Sequence, residues 1–388
     1  MNIIIFKHPD FMMSQSMPRF ARMIADAMHA RGHQVEFWTA APIVCRLPVP
    51  SRLKKWLGYI DQFIFFPLQA RWRLRRLPSN TLFVFSDQAL GPWVPLIAKH
   101  PHVIHVHDFM ALRSALGEHV QNPTNWTGRY YQSLIRRGFG KGKNFISVSE
   151  NTKKDLHRFL SKTPNLSEVI YNGMNFTYRP MTQVDSKAEL STAGIDFPKT
   201  GFLLHVGGNQ WYKNRYGVIE IYKAYLERTE SPLPLWMIGP PPTEQMKEIV
   251  QSLDGNKDIR FITGVSNELL CAIYSSARLL IFPSLAEGFG WPIAEAMSCG
   301  CLVLTTDEAP MTEVGGSAAL YIPVKQPKDA ANWAKLAGER VSEILALTDD
   351  SVHELKIAGF KQAALFEADQ TLDAYEHIYK QVLARGSN

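Results

Sequence analysis

Short apolar runs alternate with longer amphipathic stretches along this chain, the pattern of parallel strands buried between helices. Residues 2–6, Asn-Ile-Ile-Ile-Phe, are the first run and predict a strand. A polar loop follows, and apolar positions then recur at helical spacing over 18–30. Arg31-Gly32-His33 ends that helix, and 34–39 predicts a second strand. This strand–helix–strand opening begins a doubly wound sheet. Residues 80–85, 102–106 and 144–149 predict further strands, with a helix over 153–160. Pro180, Pro198 and mixed polar residues mark 179–199 as a linker. A second series of strands follows at 201–206, 233–239, 259–264, 278–282 and 301–305, and 360–383 is amphipathic. The expected class is α/β, with two Rossmann-like domains at 1–178 and 200–365; a chain of 388 residues suffices for two cores.

The densest chemistry lies at 282–300, where a strand, a glycine loop and a helix follow one another. Gly288 and Gly290 bracket Phe289, so the backbone there can turn tightly and approach a ligand. Pro292 suits a first helical position, Ile293, Ala296 and Met297 supply an apolar stripe, and Gly300 ends the helix. A helix N-terminus behind glycines offers N–H groups and a positive dipole end to a phosphate. A carboxylate would be repelled by that phosphate, but it accepts hydrogen bonds from the two hydroxyls of a diol. Glu287 in the loop and Glu295 about a turn into the helix therefore suggest two sugars flanking one diphosphate, as in a nucleotide-sugar. The plainer alternative is a helix-capping Glu and a solvated one.

The run Pro283-Ser-Leu-x-Glu287-Gly-Phe-Gly-x-Pro-x-x-Glu295-Ala-Met resembles the signature of family 4 retaining glycosyltransferases of the GT-B fold. That resemblance implies two Rossmann-like domains facing a cleft, with a last helix, 366–388, crossing back to the first. It implies that Glu287 lies by the donor sugar and that the amides of Gly288, Phe289 and Gly290 line the sugar and phosphates. Glu295 would bind the ribose hydroxyls, and Trp291, where a smaller aliphatic is usual, would shape the sugar pocket. A second match, Gly207-Gly208-Asn209-Gln-Trp-Tyr-Lys213-Asn214-Arg215, implies that Lys213 faces the diphosphate beside Gly207, Gly208 and Asn214. Arg215 either replaces an arginine that the family places after the first glycine or is a surface residue.

The same resemblance assigns Val265 to the base through main-chain groups and His107 to the donor sugar. Asp108 either orients His107 or caps the next helix, while His102 and His105 read as strand or loop histidines. Val169-Ile-Tyr-Asn172-Gly173 resembles the family's last strand of the first domain and its turn. The first loop lacks the family's glycine pair, leaving Ser14 and Ser16 as its hydroxyl donors. The implied reaction is transfer of a hexose, with retention, from a UDP- or GDP-sugar such as GDP-mannose. The acceptor is a hydroxyl of a glycan or lipid-linked molecule in polysaccharide or lipopolysaccharide assembly. The catalytic candidates are Glu287, His107 and Lys213. No Asp-x-Asp occurs, so neither a metal nor another cofactor is expected. A different GT-B chemistry (epimerase or phosphorylase) and a non-catalytic membrane-associated partner remain as alternatives.

Charge adds one feature. The net charge of +6 divides into 24 Lys+Arg against 10 Asp+Glu over 1–180, and 18 against 26 beyond, so the first half is suited to something anionic. Residues 46–76 hold eight cations against Asp61 alone, interleaved with six large aromatics. Lys54, Lys55, Trp56, Arg71, Trp72 and Arg73 are the candidate membrane or acceptor contacts. Each cation at an anionic bilayer would contribute on the order of 1 kcal/mol. The alternative is a helix whose apolar face packs on the sheet and whose cations are only solvated. No nucleic-acid module accompanies the patch, so nucleic acid is not an expected partner. No segment reaches the roughly 18 apolar residues of a membrane span, and residues 2–6 read as a strand rather than a signal peptide. Four scattered cysteines show no metal spacing or disulfide framework. The expected location is cytoplasmic, peripheral on the inner face of the membrane.

Overall fold

The computed structural model describes residues 1–12, 16–198, 200–253 and 258–386. They divide into two compact units, Met1–Asn172 with Asp369–Asn388, and Gly173–Ala368.

The first unit carries β1 (Asn2–Phe6), α1 (Ser16–Ala30), β2 (Gln34–Trp38), α2 (Ser51–Ile60), α3 (Phe66–Leu74), β3 (Thr81–Phe85) and β4 (His102–Val106). It continues with α4 (Met110–Ala115), α5 (Trp126–Phe139), β5 (Asn144–Ser147), α6 (Glu150–Phe159) and β6 (Leu166–Val169). The strands pair in parallel in the order β2-β1-β3-β4-β5-β6. Alternate residues feed opposite faces, as the pleat requires. Ile4, Phe6, Phe83 and Phe85 pack with Trp38, Phe66 and Trp93. Ile3, Ile5, Leu82 and Val84 pack with Ile24 and Met28 of α1. Burial on both faces explains why these strands read as unbroken apolar runs. The strand-like segment foreseen at 169–172 begins three residues earlier, as β6.

The second unit carries α7 (Gln183–Thr192), β7 (Leu203–Val206), α8 (Arg215–Leu226), β8 (Leu235–Ile238), α9 (Glu244–Gln251), β9 (Ile259–Ile262) and α10 (Asn267–Ser276). There follow β10 (Leu279–Phe282), α11 (Trp291–Ser298), β11 (Leu302–Thr306), α12 (Met311–Gly315), β12 (Leu320–Ile322), α13 (Ala330–Leu345) and α14 (Asp349–Ala363). Its parallel sheet has the order β12-β11-β10-β7-β8-β9. The stretch 179–199, foreseen as a linker, instead holds α7, capped by Thr182 and anchored by fully buried Leu190. Its short polar sequence hides the helix, because one buried leucine makes no apolar stripe.

The final helix, α15 (Ala368–Gly386), returns to the first sheet. Leu372, Tyr375, Ile378, Tyr379 and Val382 complete the core face formed by β1, β3 and α1. Arg31 meets Asp373 at 2.5 Å, His33 meets Glu376 at 2.7 Å, and Thr371 Oγ1 donates to the Tyr171 carbonyl at 3.1 Å.

Candidate functional site

In the second sheet β7 and β10 are neighbours, and the strand order reverses between them. Ligands of open α/β sheets bind at such a point, outside the carboxyl ends of the strands. The two glycine loops emerge there. Leu285 N–H donates to the Tyr212 carbonyl at 2.7 Å and ties one loop to the other. Lys213 Nζ then donates to Glu287 Oε1 at 2.7 Å, and Ser284 Oγ donates to the same oxygen at 2.8 Å. Thr305 and Thr306, at the end of β11, donate to the carbonyls of Phe282 and Ser284 and brace the loop from below.

Asn214 adopts φ 52°, a left-handed conformation that Asn tolerates better than most residues. Its Nδ2 donates to the Pro283 carbonyl at 2.9 Å, and its Oδ1 caps α8 by accepting from Gly217 N–H. Lys213 is thereby fixed at the entrance of that helix. Close packing, against backbone for one and a histidine ring for the other, explains two of the glycines. A Cβ on Gly239 would stand 2.2 Å from the Gly207 carbonyl oxygen, and one on Gly207 would stand 2.8 Å from His205 Nε2. His205 donates through Nδ1 to the Ile281 carbonyl, and burial pushes its pKa down to about 3, so it is neutral.

Gly290, with φ 107°, starts α11, and no side chain caps that helix. Trp291 is half-buried at its first position. Glu295 is buried, and Tyr274 Oη donates to its Oε2 at 2.9 Å. Burial pushes the Glu295 carboxyl up to about 7, against the opposing pull of the Tyr274 hydrogen bond and the Lys213 charge. Lys213 thus bonds one glutamate and acts electrostatically on the other. The Phe289 side chain is buried, edge-on to Trp291 and Phe366 at 5.5 and 5.3 Å, which leaves its main chain to meet a ligand. Val265 is half-buried two residues beyond Thr263, at the exit of β9. Gly208 faces the Gln210 amide, which fills the space a side chain would take.

Arg215 is no surface residue. It is 2% exposed, and Nη1 donates to Asn209 Oδ1 and, at 2.9 Å, to the Pro240 carbonyl. It holds the Gly207–Gly208–Asn209 turn against the exit of β8. Tyr274 and this role of Arg215 were not foreseen in the sequence, because each depends on a partner distant along the chain; Ser284, three residues from Glu287, stood in the motif without a role assigned to it.

In the first unit the order reverses between β1 and β3, and a polar group gathers at their carboxyl ends. His8 Nε2 donates to Asp87 Oδ2 at 2.8 Å. His107 Nε2 donates to the Ser86 carbonyl at 2.9 Å, and its amide donates to Gln88 Oε1. Burial would raise the Asp87 carboxyl, but His8 and His107 hold it below the usual carboxylate range; burial lowers His107 despite Asp87. Asp87, Gln88, His107, Asp108 and Gln132 bound a cavity of about 240 Å³. Asp108 Oδ1 accepts from Met110 N–H at the start of α4. His102 and His105 are buried in β4, bonded to the His100 carbonyl and the Tyr379 hydroxyl. Ser14 lies outside the described residues, as does the side chain of Ser16.

The basic segment forms α2, a π-helical turn over Asp61–Phe65, and α3. Phe66 and Ala70 enter the core, while Trp56, Leu68 and Trp72 are each more than half exposed. Asp61 is fully buried and accepts the N–H groups of Ile43, Val44 and Cys45 at 3.1, 2.9 and 3.0 Å. The one acid of the segment therefore neutralises none of its surface. Lys54 and Arg71 are exposed, and Lys55 lies over the Tyr59 ring at 5.9 Å. Arg73 is committed elsewhere, paired with Glu36 at 3.1 Å and lying over Trp38. Among the described residues no group of three or more His, Cys, Asp or Glu could hold a metal ion. No helix among them is long and apolar enough to cross a membrane.

Known proteins share the sequence pattern and the fold. Residues 17–178 match Glycosyltransferase Family 4, and residues 190–337 match the glycosyl transferases group 1. The chain is similar to O-antigen chain mannosyltransferase B of Escherichia coli, 26% identical over 257 residues, or 64% of each protein. It is similar also to O-antigen chain mannosyltransferase RfbU of Salmonella typhimurium, 26% identical over 213 residues, covering 53% of this chain and 52% of that one. The chain thus spans less than two thirds of either relative. Sucrose-phosphate synthase from Thermosynechococcus elongatus superposes with a TM-score of 0.73 at 18% identity, covering 99% of both chains. HepE from Anabaena, solved with UDP and glucose, superposes at 0.68 and 15% identity over 98% of this chain and all of that one. With two matched segments that flank the 179–189 stretch and take in every strand but β1, the chain belongs to the group 1, family 4 glycosyltransferases and has the GT-B fold.

Proposed function

We propose that this glycosyltransferase moves a hexose, with retention, from a nucleoside diphosphate sugar to a hydroxyl of a glycan or lipid-linked acceptor in surface polysaccharide assembly. The mannosyltransferase relatives favour mannose and therefore GDP-mannose as donor. One observation carries the reading: Lys213, Glu287 and Glu295 converge where β7 and β10 end, at the mouths of two helices. Lys213 and Glu287 neutralise each other at 2.7 Å. An arriving diphosphate takes over Lys213 and meets the uncapped N-terminus of α11. Glu287 then turns to the sugar, whose ring gains positive charge as the bond to phosphate breaks. Glu295 accepts the ribose hydroxyls, and Val265 meets the base through its main chain.

Retention follows when the acceptor hydroxyl attacks from the side the diphosphate leaves. The acceptor oxygen bonds to the anomeric carbon, the anomeric carbon–phosphate oxygen bond breaks, and the departing phosphate oxygen takes the acceptor's proton. Lys213 and the helix dipoles offset the charge that develops on the diphosphate, without a metal. His107 keeps its assignment to the donor sugar, the acceptor's polar end is read in the first unit by Asp87, Gln88 and Gln132 of the same cavity, and the exposed cations of α2 and α3 seat the enzyme on the inner, anionic face of a membrane.

Lys213→Ala and Glu287→Gln should each lower transfer of labelled sugar by about 10²–10³-fold, the usual cost of losing one such electrostatic contact. Circular dichroism should be unchanged. Wild-type turnover in either folded variant overturns the assignment, and isomerised donor in an acceptor-free incubation favours an epimerase.

A further inference from the structure

The first unit has a second concavity, and nothing in the transfer chemistry uses it. A groove of about 590 Å³ runs between α2, the π-helical turn and α5. Its walls are aromatic and aliphatic: Tyr59 and Phe63 lie 5.6 and 6.2 Å from Tyr131, and Ile64 and Leu134 continue the surface. Trp56, Ile64, Trp126 and Tyr130 are exposed by 55, 53, 78 and 61% and line one groove together, a contiguous apolar surface of the kind that marks a binding site. The volume falls in the range of small-molecule sites, about 300–1,000 Å³.

Charge selects the occupant. Lys55 forms part of the wall, exposed Arg52 and Lys54 precede it on α2, and Arg129 stands between Gly128 and Tyr130 on the other side. Among the described residues no carboxylate lines the groove, and nearby Asp61 is consumed by three backbone amides. An apolar slot under a cationic rim fits a hydrocarbon chain carrying an anionic head. Helix α5 also links this groove to the polar cavity. Tyr131 and Leu134 face the groove, whereas Gln132 and Ile135 face the cavity that contains His107.

We propose that the groove holds the hydrocarbon chain of a phosphorylated amphiphilic acceptor, drawn out of the bilayer, while the polar end is read on the adjoining face of α5. The assignment rests on the transferase reading for what is then done to the ligand, but the groove's occupancy is measurable by itself.

The probes are octyl, decyl and dodecyl phosphate below their micelle concentrations, with inorganic phosphate as control, followed by quenching of tryptophan fluorescence. Binding should be saturable at one site and should tighten up to about fourfold per added methylene, with none for inorganic phosphate. Ile64→Glu and Trp126→Ala, both at exposed positions that spare the fold, should each weaken dodecyl phosphate at least tenfold. They should leave nucleotide-sugar binding unchanged and should still float with vesicles of phosphatidylglycerol. Affinity independent of chain length, or unaltered in both variants, overturns the proposal. So does a parallel loss of vesicle flotation, which would make the groove a bilayer contact, or concentration-dependent dimerisation abolished by Ile64→Glu, which would make it a subunit interface. Failure of the wild type to bind any nucleotide-sugar would defeat the transferase reading while leaving the alkyl phosphate result standing.

Discussion

Glu295 offers a direct test of the donor site, because its environment sets a pH dependence that a solvated carboxylate would lack. Burial raises its carboxyl to about 7, so the side chain keeps its proton at pH 6 and has lost it by pH 8. Only the carboxylate accepts from both hydroxyls of a ribose. The apparent dissociation constant for a donor then scales with one plus the protonated-to-ionised ratio, roughly 11 at pH 6 and roughly 1.1 at pH 8. Affinity should therefore improve about tenfold across that window, equivalent to about 1.4 kcal/mol. The intact nucleotide-sugar is the proper titrant, since its diphosphate has no proton to lose in this range. Calorimetric titrations of GDP-mannose and UDP-glucose at pH 6, 7 and 8 measure the effect.

Two variants locate its origin. Glu295→Gln should bind weakly and equally at all three pH values. Tyr274→Phe removes the hydroxyl that holds the carboxyl down, so its gain in affinity should move to higher pH. The sign for folding is the reverse. A carboxyl raised above its unfolded value favours the fold at low pH, and that contribution fades as pH rises through about 7. A flat wild-type profile, or the wild-type slope persisting in Glu295→Gln, would refute the idea that this carboxylate grips the donor.

Two further outcomes follow from the basic segment. Asp61→Asn keeps one acceptor oxygen for Ile43 and Cys45 but turns an NH₂ toward the Val44 amide, which should lower the stability of the first unit by about 1–3 kcal/mol, read as a drop in thermal midpoint. Charge reversal of Arg71, Arg75 and Arg76 should abolish flotation with anionic vesicles while leaving neutral vesicles unaffected, and unchanged flotation would defeat the membrane assignment.

The strands were legible because both faces of each sheet are covered, so 2–6, 102–106 and 278–282 stand out as apolar runs in a polar chain. The glycine loops were legible because tight backbone approach leaves a compositional mark, and Gly207, Gly239 and Gly290 all meet a geometric demand. What stayed hidden depends on distance along the chain. Tyr274 reaches Glu295 across 21 residues, and Asp87 reaches His8 across 79, with no local pattern to announce either contact. Helix α7 was hidden for another reason: among its described residues the one buried apolar side chain is a leucine. Arg215 admitted two readings until its burial and its bond to Asn209 decided between them.

The return of α15 to the first sheet bears on how the protein is made. A ribosome delivers the strands up to Val169 long before it delivers Asp369, about 200 residues later, a delay of roughly 10–40 s at ordinary elongation rates. During that interval the hydrophobic face of β1 and β3 lacks the two tyrosines and three aliphatics that will finally cover it. The half that is synthesised first is thus completed last.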